Sequence, residues 1–549
     1  MGACSDPRAD RTRFIINEDF KLKMEMIQSI QNFNKKKNGE DIGVYRSKNN
    51  ESNQINKHDI PNVNIPANGN VIRKNTRDLT EEYEIEGQLG EGGYGKVYLV
   101  RHKRMNLLRA MKVISIDSKT SEERTDEEIE LLKKLDHPNI IKLFEYFIDE
   151  DNYYLITEYC NGGDLFDLIK KKKQKFSELS AAYIMFQIFR ALIYCHNTHH
   201  LVHRDIKLEN IVIFRKINAE DDLYDIKLID FGIAKIFNKC EKNKDKRIKG
   251  SLNYMAPEAL QGNYDEKCDI WSCGVILYIL LIGNYPFDGN NKAEIIKKIK
   301  KGQFTFPEGF EAAASPEIKD LINCCLKLDP DERISAKEAL NHPFFNSNDI
   351  NEYFINVTPA FINKTLNNIK KYKVENSLQE LCFRYFVHNY PNQDDIILIN
   401  RIFSKFNTSS SGKMKKEELK NGLLKYLFKS KKSKLAAEKE TETIFKILDG
   451  NQDGEIECEE FLRAGIDKKL IKNKKVLKFM FDFLDKNRDG EISFQELKEV
   501  FYKEDPKADN KQNDEIITKL LKDIDTDLNG QISFDEFYNM MLKLIDGLI

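Results

Sequence analysis

The sequence predicts an α+β chain: a two-lobed globular unit, with a small β-rich lobe ahead of a larger helical one, and then an all-α region. Three observations predict it. Between Tyr83 and Phe345, short β-type runs (KVYLV, RAMKVI, YYLITEY) precede helical segments (AAYIMFQIFRALIYCH, CDIWSCGVILYILLIG), the order of a β lobe followed by a helical lobe. From residue 346 to 549 the pattern is helical, broken by glycine-centred acidic loops at a rough repeat. Residues 1–82 are rich in Asn, Lys, Asp and Glu, with few aromatics after Phe33. That composition cannot bury enough apolar surface to offset chain entropy, so most of this extension is expected to be disordered.

Bulk numbers narrow the class. A chain of 549 residues is expected to form about two to four domains. Its 41 % hydrophobic content supports real cores, and a net charge of −2 gives no basic field of the kind nucleic acid needs. Ten cysteines occur with no CxxC pair and no His/Cys cluster, which suits reduced thiols in a cytoplasmic protein. The longest apolar run, GVILYILLIG at 274–283, falls short of the roughly 18 residues that a membrane span takes, and is expected to be a buried helix. The first residues lack the apolar core of a secretory signal. In FKLKMEMIQSIQNF (20–33), Phe20, Met24, Ile27 and Ile30 share one helical face, which fits a solvated, nascent helix. A monomer is expected.

LGEGGYGKV holds Gly90, Gly92, Gly95 and Val97 in a GxGxxGxV pattern. Glycines let backbone amides approach phosphates without obstruction. A dinucleotide-binding fold shares this pattern but wants an acidic residue about 20 positions on. Here a β-type run supplies Lys112 instead, a cation suited to nucleotide phosphates. Further on stand HRDIKLEN (His203, Arg204, Asp205, Lys207, Asn210), IDFG (Asp230, Phe231, Gly232) and APE (Ala256, Pro257, Glu258). In order and spacing, residues 83–345 resemble protein kinases throughout.

The resemblance implies a division of labour. Lys112 would hold the α/β phosphates, with Glu128 fixing its position. Asp230 and Asn210 would be the Mg²⁺ ligands. Asp205 would accept or orient the substrate hydroxyl proton, and Lys207 would neutralise charge on the γ-phosphate. ATP would lie against Leu89, Gly90, Gly92, Gly95, Val97, Ala110, Thr157, Glu158, Cys160, Asp164 and Val212. Lys207 marks the serine/threonine class, so the partners are protein substrates. Glu209 and Asp164 stand where basophilic kinases meet Arg or Lys upstream of the phosphosite. Thr157 is small at the position guarding the back of the pocket, so bulky purine-like inhibitors should fit. Leu208 replaces the usual proline, and Ser251 stands where threonine is commoner. Between Gly232 and Gly250 there is no Ser or Thr, so ordering of this loop by phosphorylation against Arg204 is absent. Glu241 or Asp245 supplies constant charge there, or control lies elsewhere in the chain.

DGNQDGEIECEE (449–460) fits a calcium loop, with Asp449, Asn451 and Asp453 at positions 1, 3 and 5, Gly454 at the turn, the Glu455 carbonyl, and Glu460 as the bidentate last ligand. DKNRDGEISFQE (485–496) repeats it with Asp485, Asn487, Asp489, Gly490, Glu491 and Glu496, and DTDLNGQISFDE (525–536) with Asp525, Asp527, Asn529, Gly530, Gln531 and Glu536. A fourth loop, 407–418, keeps Gly412, Met414 and Glu418 but offers Asn407, Ser409 and Ser411 where carboxylates belong, with Lys413, Lys415 and Lys416 adding positive charge. These are four EF-hands pairing as 1–2 and 3–4. Affinity follows ligand charge count, so three loops should bind Ca²⁺ and the first weakly or not at all.

Between the two machines, Ile362, Leu366 and Ile369 share one helical face, as do Leu378, Leu381, Cys382 and Tyr385, with Lys364, Lys370, Lys371 and Lys373 on the first half. This suits either a calmodulin-type target built into the chain or an ordinary connecting helix. Taken together (an N-terminal extension 1–82, a kinase 83–345, a junction 346–400 and a calmodulin-like domain 401–549), the chain resembles the calcium-dependent protein kinases of plants and protists. That resemblance implies a kinase held inactive by its junction and EF-hand domain and released when calcium makes the EF-hands grip the junction. MGACSDPR, with Gly2 and Cys4, resembles an N-myristoylation site with nearby palmitoylation, and Arg8, Arg11 and Arg13 would assist on anionic lipid. Asp6 stands where that pattern wants Ser or Thr, and a plain cytoplasmic start is the alternative. Two competing functions remain. A calcium-sensing scaffold with a dead kinase fold is opposed by the intact Lys112, Asp205, Asn210 and Asp230. A kinase driven by separate calmodulin is made needless by the built-in EF-hands.

Overall fold

The computed structural model describes residues 72–546 apart from 73, 76, 93–94, 173–174, 219–221, 237–249, 348–356, 373–376, 390–393, 428–433, 450–452, 469–471 and 502–510. Gly2, Cys4, the 20–33 helix, Glu241, Asp245, Lys373 and Asn451 therefore lie outside the described residues.

Five antiparallel strands form the first lobe: β1 (Tyr83–Gly92), β2 (Gly95–His102), β3 (Leu107–Ser115), β4 (Leu143–Ile148) and β5 (Asn152–Glu158), in the order β1-β2-β3-β5-β4. One helix, α1 (Lys119–Lys134), accompanies them, opened by a Ser118/Ser121 capping box. The second lobe is helical around α2 (Glu178–Ile193) and α3 (Lys267–Ile282), with a hairpin of β6 (Ile211–Asn218) and β7 (Leu223–Leu228) at the mouth between the lobes. The apolar run 274–283 lies within α3 and its Gly283 cap, and α3 is buried along nearly its whole length. Among the described residues one helical stretch, Glu178–Thr198, has the length and hydropathy of a membrane span, and 89 % of that window is buried inside the protein. It is the spine of the second lobe, and it ends in a π-helical turn, Tyr194–Thr198.

The structured unit starts earlier than Tyr83. Ile72 is buried in the core, Asn75 N–H donates to Tyr146 O at 2.7 Å, and a helical turn, Leu79–Glu82, capped by Asp78, leads into β1. At the other end, α4 (Pro359–Lys370) and α5 (Ser377–Asn389) are the junction, and α6 (Asp394–Phe406) is already the entering helix of the first calcium loop. The junction therefore ends before Asp394, not at 400, because the loop at 407 needs a full helix ahead of it.

After the first calcium loop the helices are α7 (Lys416–Tyr426), α8 (Lys434–Leu448), α9 (Cys458–Gly465), α10 (Lys474–Leu484), α11 (Phe494–Phe501), α12 (Lys511–Ile524) and α13 (Phe534–Asp546). The loops join as pairs through short strands, Met414 opposite Ile456 and Ile492 opposite Ile532. The pairing is 1–2 and 3–4. The junction helices are not exposed connectors. Ile362, Leu366, Ile369, Leu381 and Phe386 share one continuous core with Phe461, Met480 and Met541 of the EF-hands. Lys370 pairs with Glu440 at 2.5 Å, so the basic residues reach acids of the domain that holds the helix.

Phe386 is fully buried in that core, so Phe386→Ala should destabilise the C-terminal domain by about 3–5 kcal/mol. The single tryptophan, Trp271, lies in the kinase core. Its fluorescence transition in denaturant should stay in place while the helical signal of the C-terminal domain melts earlier. A connector-like α5 would leave both transitions unmoved.

Candidate functional site

The cleft between the lobes is a cavity of about 490 Å³. Leu89, Gly90, Gly95, Val97, Ala110, Lys112, Thr157, Glu158, Cys160, Asp164, Val212, Asn210 and Asp230 all line it, and Gly92 is the last residue of β1. Gly95 is required sterically: at φ +130° a Cβ there would stand 1.9 Å from Val113 O. Gly90 has open space around it, which leaves room for phosphate oxygens.

Charge is concentrated at the floor. Lys112 Nζ donates to Glu128 Oε1 at 2.9 Å and to Asp230 Oδ1 at 3.3 Å. Burial alone would lower the Lys112 pKa, but Glu128 and Asp230 outweigh it and hold it above the usual value. Burial likewise opposes charge on Asp230, and Lys112, His203 and Lys207 keep its carboxyl below the usual range. Asp205 Oδ2 accepts from Lys207 Nζ at 2.5 Å, and its Oδ1 accepts from Ser251 N–H at 3.2 Å and Ser251 Oγ at 3.3 Å. The hydroxyl kept at 251 thus meets the candidate proton acceptor. Asn210 Nδ2 donates to Asp205 O at 2.9 Å and Oδ2 at 3.1 Å. This turns the amide oxygen of Asn210 away from Asp205, so Asn210 and Asp230 offer hard oxygen donors that fit Mg²⁺.

The backbone of this loop is held by a residue the sequence reading did not single out. Asp269, buried in α3, accepts from His203 N–H and Arg204 N–H, each at 2.9 Å, and from His196 at 2.8 Å. Burial opposes its charge, and His196 and His203 lower its pKa. Arg204 itself sits at φ +68° and donates to Ile233 O at 2.7 Å, which ties the catalytic loop to the segment after Asp230. Arg333, fully buried, clasps Glu258 at 2.6 and 3.1 Å. Asp164 caps the helix Leu165–Lys171 by accepting from Asp167 N–H at 2.8 Å. Glu209 also borders the cleft, and its Oε2 is buried without a hydrogen-bond partner.

The calcium loops differ in kind. In loops 2 and 3, Asp449 Oδ1 and Asp485 Oδ1 are buried with no hydrogen-bond partner, as first ligands of a cation should be. In loop 4, oxygens of Asp525, Asp527 and Glu536 lie within 4.8 Å of one another. Glycines 454, 490 and 530 take φ +80° to +90°. These donor sets fit Ca²⁺. Loop 1 is closed by its own hydroxyls: Ser409 Oγ donates to Asn407 Oδ1 at 2.9 Å, and Glu418 Oε1 accepts from Ser409 N–H at 2.7 Å and Thr408 Oγ1 at 3.1 Å. Lys413 reaches Asp453 at 3.4 Å and Glu457 at 3.0 Å of the neighbouring loop.

Asp269→Asn keeps the shape but not the charge that holds two N–H groups and His196. The expected result is a fall in kcat of about ten- to hundredfold with the KM for ATP within about twofold. Steady-state kinetics check this, and an unchanged kcat would show that the loop is held by other means.

The comparisons with known proteins agree with this geometry. The "Protein kinase domain" family matches residues 83–345, and "EF-hand domain pair" families match 410–464 and 474–542. "Calcium-dependent protein kinase 4" of Plasmodium falciparum (isolate 3D7) is 36 % identical over 485 residues, 87 % of this chain and 89 % of that protein. "Calcium-dependent protein kinase 5" of the same organism is 38 % identical over 479 residues, covering 86 % and 80 %, and "Calcium-dependent protein kinase 3" of Plasmodium berghei (strain Anka) is 35 % identical over 468 residues, covering 85 % and 81 %. A kinase cleft and two EF-hand pairs in one chain, matched at this identity over nearly its whole length, place the protein in the family of calcium-dependent protein kinases.

Proposed function

We propose that calcium switches this serine/threonine kinase by deciding what covers the junction helices. The observation that carries this reading is the place of α4 and α5 inside the core of the EF-hand domain, with no described junction residue lining the nucleotide cavity. In that arrangement the cleft is open. Without calcium the EF-hands close, the apolar faces of α4 and α5 lose their cover, and the junction and EF-hand domain instead hold the kinase inactive. The shift requires only that calcium bind the gripping state more tightly than the closed one.

In the open state Asp205 orients the substrate hydroxyl and takes up its proton, and Lys207 steadies the phosphoryl group in flight. Lys112 positions the α/β phosphates under the restraint of Glu128. Bound at Asp230 and Asn210, magnesium supplies neutralisation of the phosphate charge. The partnerless Oε2 of Glu209 supports a basic residue upstream of the phosphosite, since an unpaired buried carboxylate oxygen favours a cationic partner. Loops 2, 3 and 4 take calcium and loop 1 binds it weakly or not at all, because Asn407, Ser409 and Ser411 stand where carboxylates would supply the charge. Acylation at Gly2, with Cys4 beside it, would bring a cytoplasmic monomer to a membrane surface. That part of the reading rests on the sequence alone.

The test is phosphate transfer from ATP·Mg²⁺ to a basic serine peptide by the full chain, in EGTA and across a calcium titration. Steep activation by calcium alone is expected, with about three binding events by calorimetry. Equal activity with and without calcium would overturn the switch, and four tight sites would overturn the account of loop 1. Glu209→Ala should lower kcat/KM for the basic peptide about tenfold and leave a peptide without the basic residue nearly unaffected.

A further inference from the structure

Among the described residues, calcium loops 1 and 3 form hydrogen bonds to different lobes of the kinase. Loop 1 rests on the helical lobe: Thr198 Oγ1 donates to Ser411 O at 2.6 Å, and Gly412 lies so close to the Tyr194 ring that a Cβ would stand 2.5 Å from it. Arg401 pairs with Asp225 at 3.1 Å, and Arg190 donates to Ser404 O at 3.1 Å. None of these groups belongs to a cation site, so this contact does not depend on an ion.

Loop 3 meets the β lobe through the segment ahead of the kinase. Arg77 Nη2 donates to Asp482 O at 2.5 Å and to Asp485 O at 2.6 Å. These carbonyls end helix α10, where backbone acceptors lack intrahelical donors and the helix dipole is negative. Asp485 is also position 1 of the loop. From position 4, Arg488 reaches back to Glu81 at 2.7 Å and to Glu82. Glu82 is 2 % exposed, and it also meets Arg77 at 3.4 Å and Arg104 at 3.9 Å. Arg104 in turn pairs with Asp482 at 2.5 Å. His102 completes the contact, edge-on to Phe479 at 5.5 Å. Burial and the neighbouring arginines 109, 104 and 77 push its pKa down to about 3, so it stays neutral.

We propose that residues 77–82 are an interdomain clasp that reads the occupancy of calcium loop 3 and transmits it to the β lobe. Arg488 stands at φ +61°, inside the turn that ends at Gly490. Its aim at Glu81 and Glu82 therefore exists only when the loop holds its coiled form. A cation on Asp485, Asn487, Asp489 and Glu496 stabilises that same form. Clasp and calcium thus favour one conformation, and each must raise the other's affinity by the same factor. A nearly buried Glu82 makes the coupling sensitive, because losing one arginine strands its charge in a poorly solvated place. The inference rests on the calcium-switch reading but adds a residue set and a direction to it.

The experiment uses the full chain and three variants: Arg77→Ala, Arg488→Glu, and Arg488→Glu combined with Glu81→Arg. Calcium binding is followed by calorimetry, and activation by peptide phosphorylation. Both single changes should raise the calcium concentration for half-activation by about three- to tenfold and weaken one binding event by a similar factor. The charge exchange should restore at least half of the shift, which a merely misfolded loop would not allow. Wild-type affinities in both single variants would overturn the clasp. So would a lower maximal rate at saturating calcium with no shift in midpoint, since that describes support of the lobe without reading of the ion. A wild-type chain indifferent to calcium in the activity assay would defeat the switch itself, while calorimetry would still decide whether Arg77 and loop 3 are coupled.

Discussion

An EF-hand pair that opens must cover the apolar surface it exposes, and most of this architecture follows from that need. Leu381, Phe383 and Phe386 of α5 and Ile362, Leu366 and Ile369 of α4 are fully or almost fully buried against the EF-hand helices. Neither junction helix is long enough to be stable alone in water, so each takes its form from the surface it lies on. One stretch of chain cannot lie on two surfaces at once. While the EF-hand helices cover α4 and α5, these apolar faces are not free to cover any other surface.

The kinase cleft depends on a different economy, that of charges out of water. Lys112, Asp230, Asp205 and Asp269 each have ionic or hydrogen-bonding partners within about 3.3 Å. In a low-dielectric cleft such groups hold their positions because separation strands them. Asp269 extends this from side chains to backbone, fixing the amides of His203 and Arg204, the two residues just ahead of Asp205. The Arg204 side chain donates to Ile233 O, which ties the catalytic loop to the residues just after Asp230.

What could be seen in the sequence was what chemistry spells locally. Glycine loops, HRDIKLEN, IDFG and the 12-residue calcium loops each need fixed residue types at fixed spacing, and the two-lobed kinase with two EF-hand pairs follows from them. The β-type runs KVYLV and RAMKVI and the buried helix at 274–283 were equally legible, since a short stretch of apolar and β-branched residues announces itself by composition. What escaped notice depends on contacts distant in the chain. Asp269 is 66 residues from His203, and its only signal is a lone acid opening an apolar helix. Asp164 was readable as a substrate contact, and in the fold its Oδ1 caps a helix. The residues just ahead of Tyr83 are too polar to announce themselves, because Asn75 is placed by Tyr146 and Arg77 by the carbonyls at loop 3 rather than by a pattern of their own.

The first calcium loop shows why the loss of ligands need not be a loss of purpose. Its hydroxyls close the loop without an ion, and Gly412 and the Ser411 carbonyl are turned onto Tyr194 and Thr198. Lys413 also reaches Asp453 and Glu457 of loop 2. None of these contacts to the kinase or to loop 2 uses the side chains of Asn407, Ser409 or Ser411, so the loop packs on the kinase and on its paired loop whether or not those positions carry carboxylates.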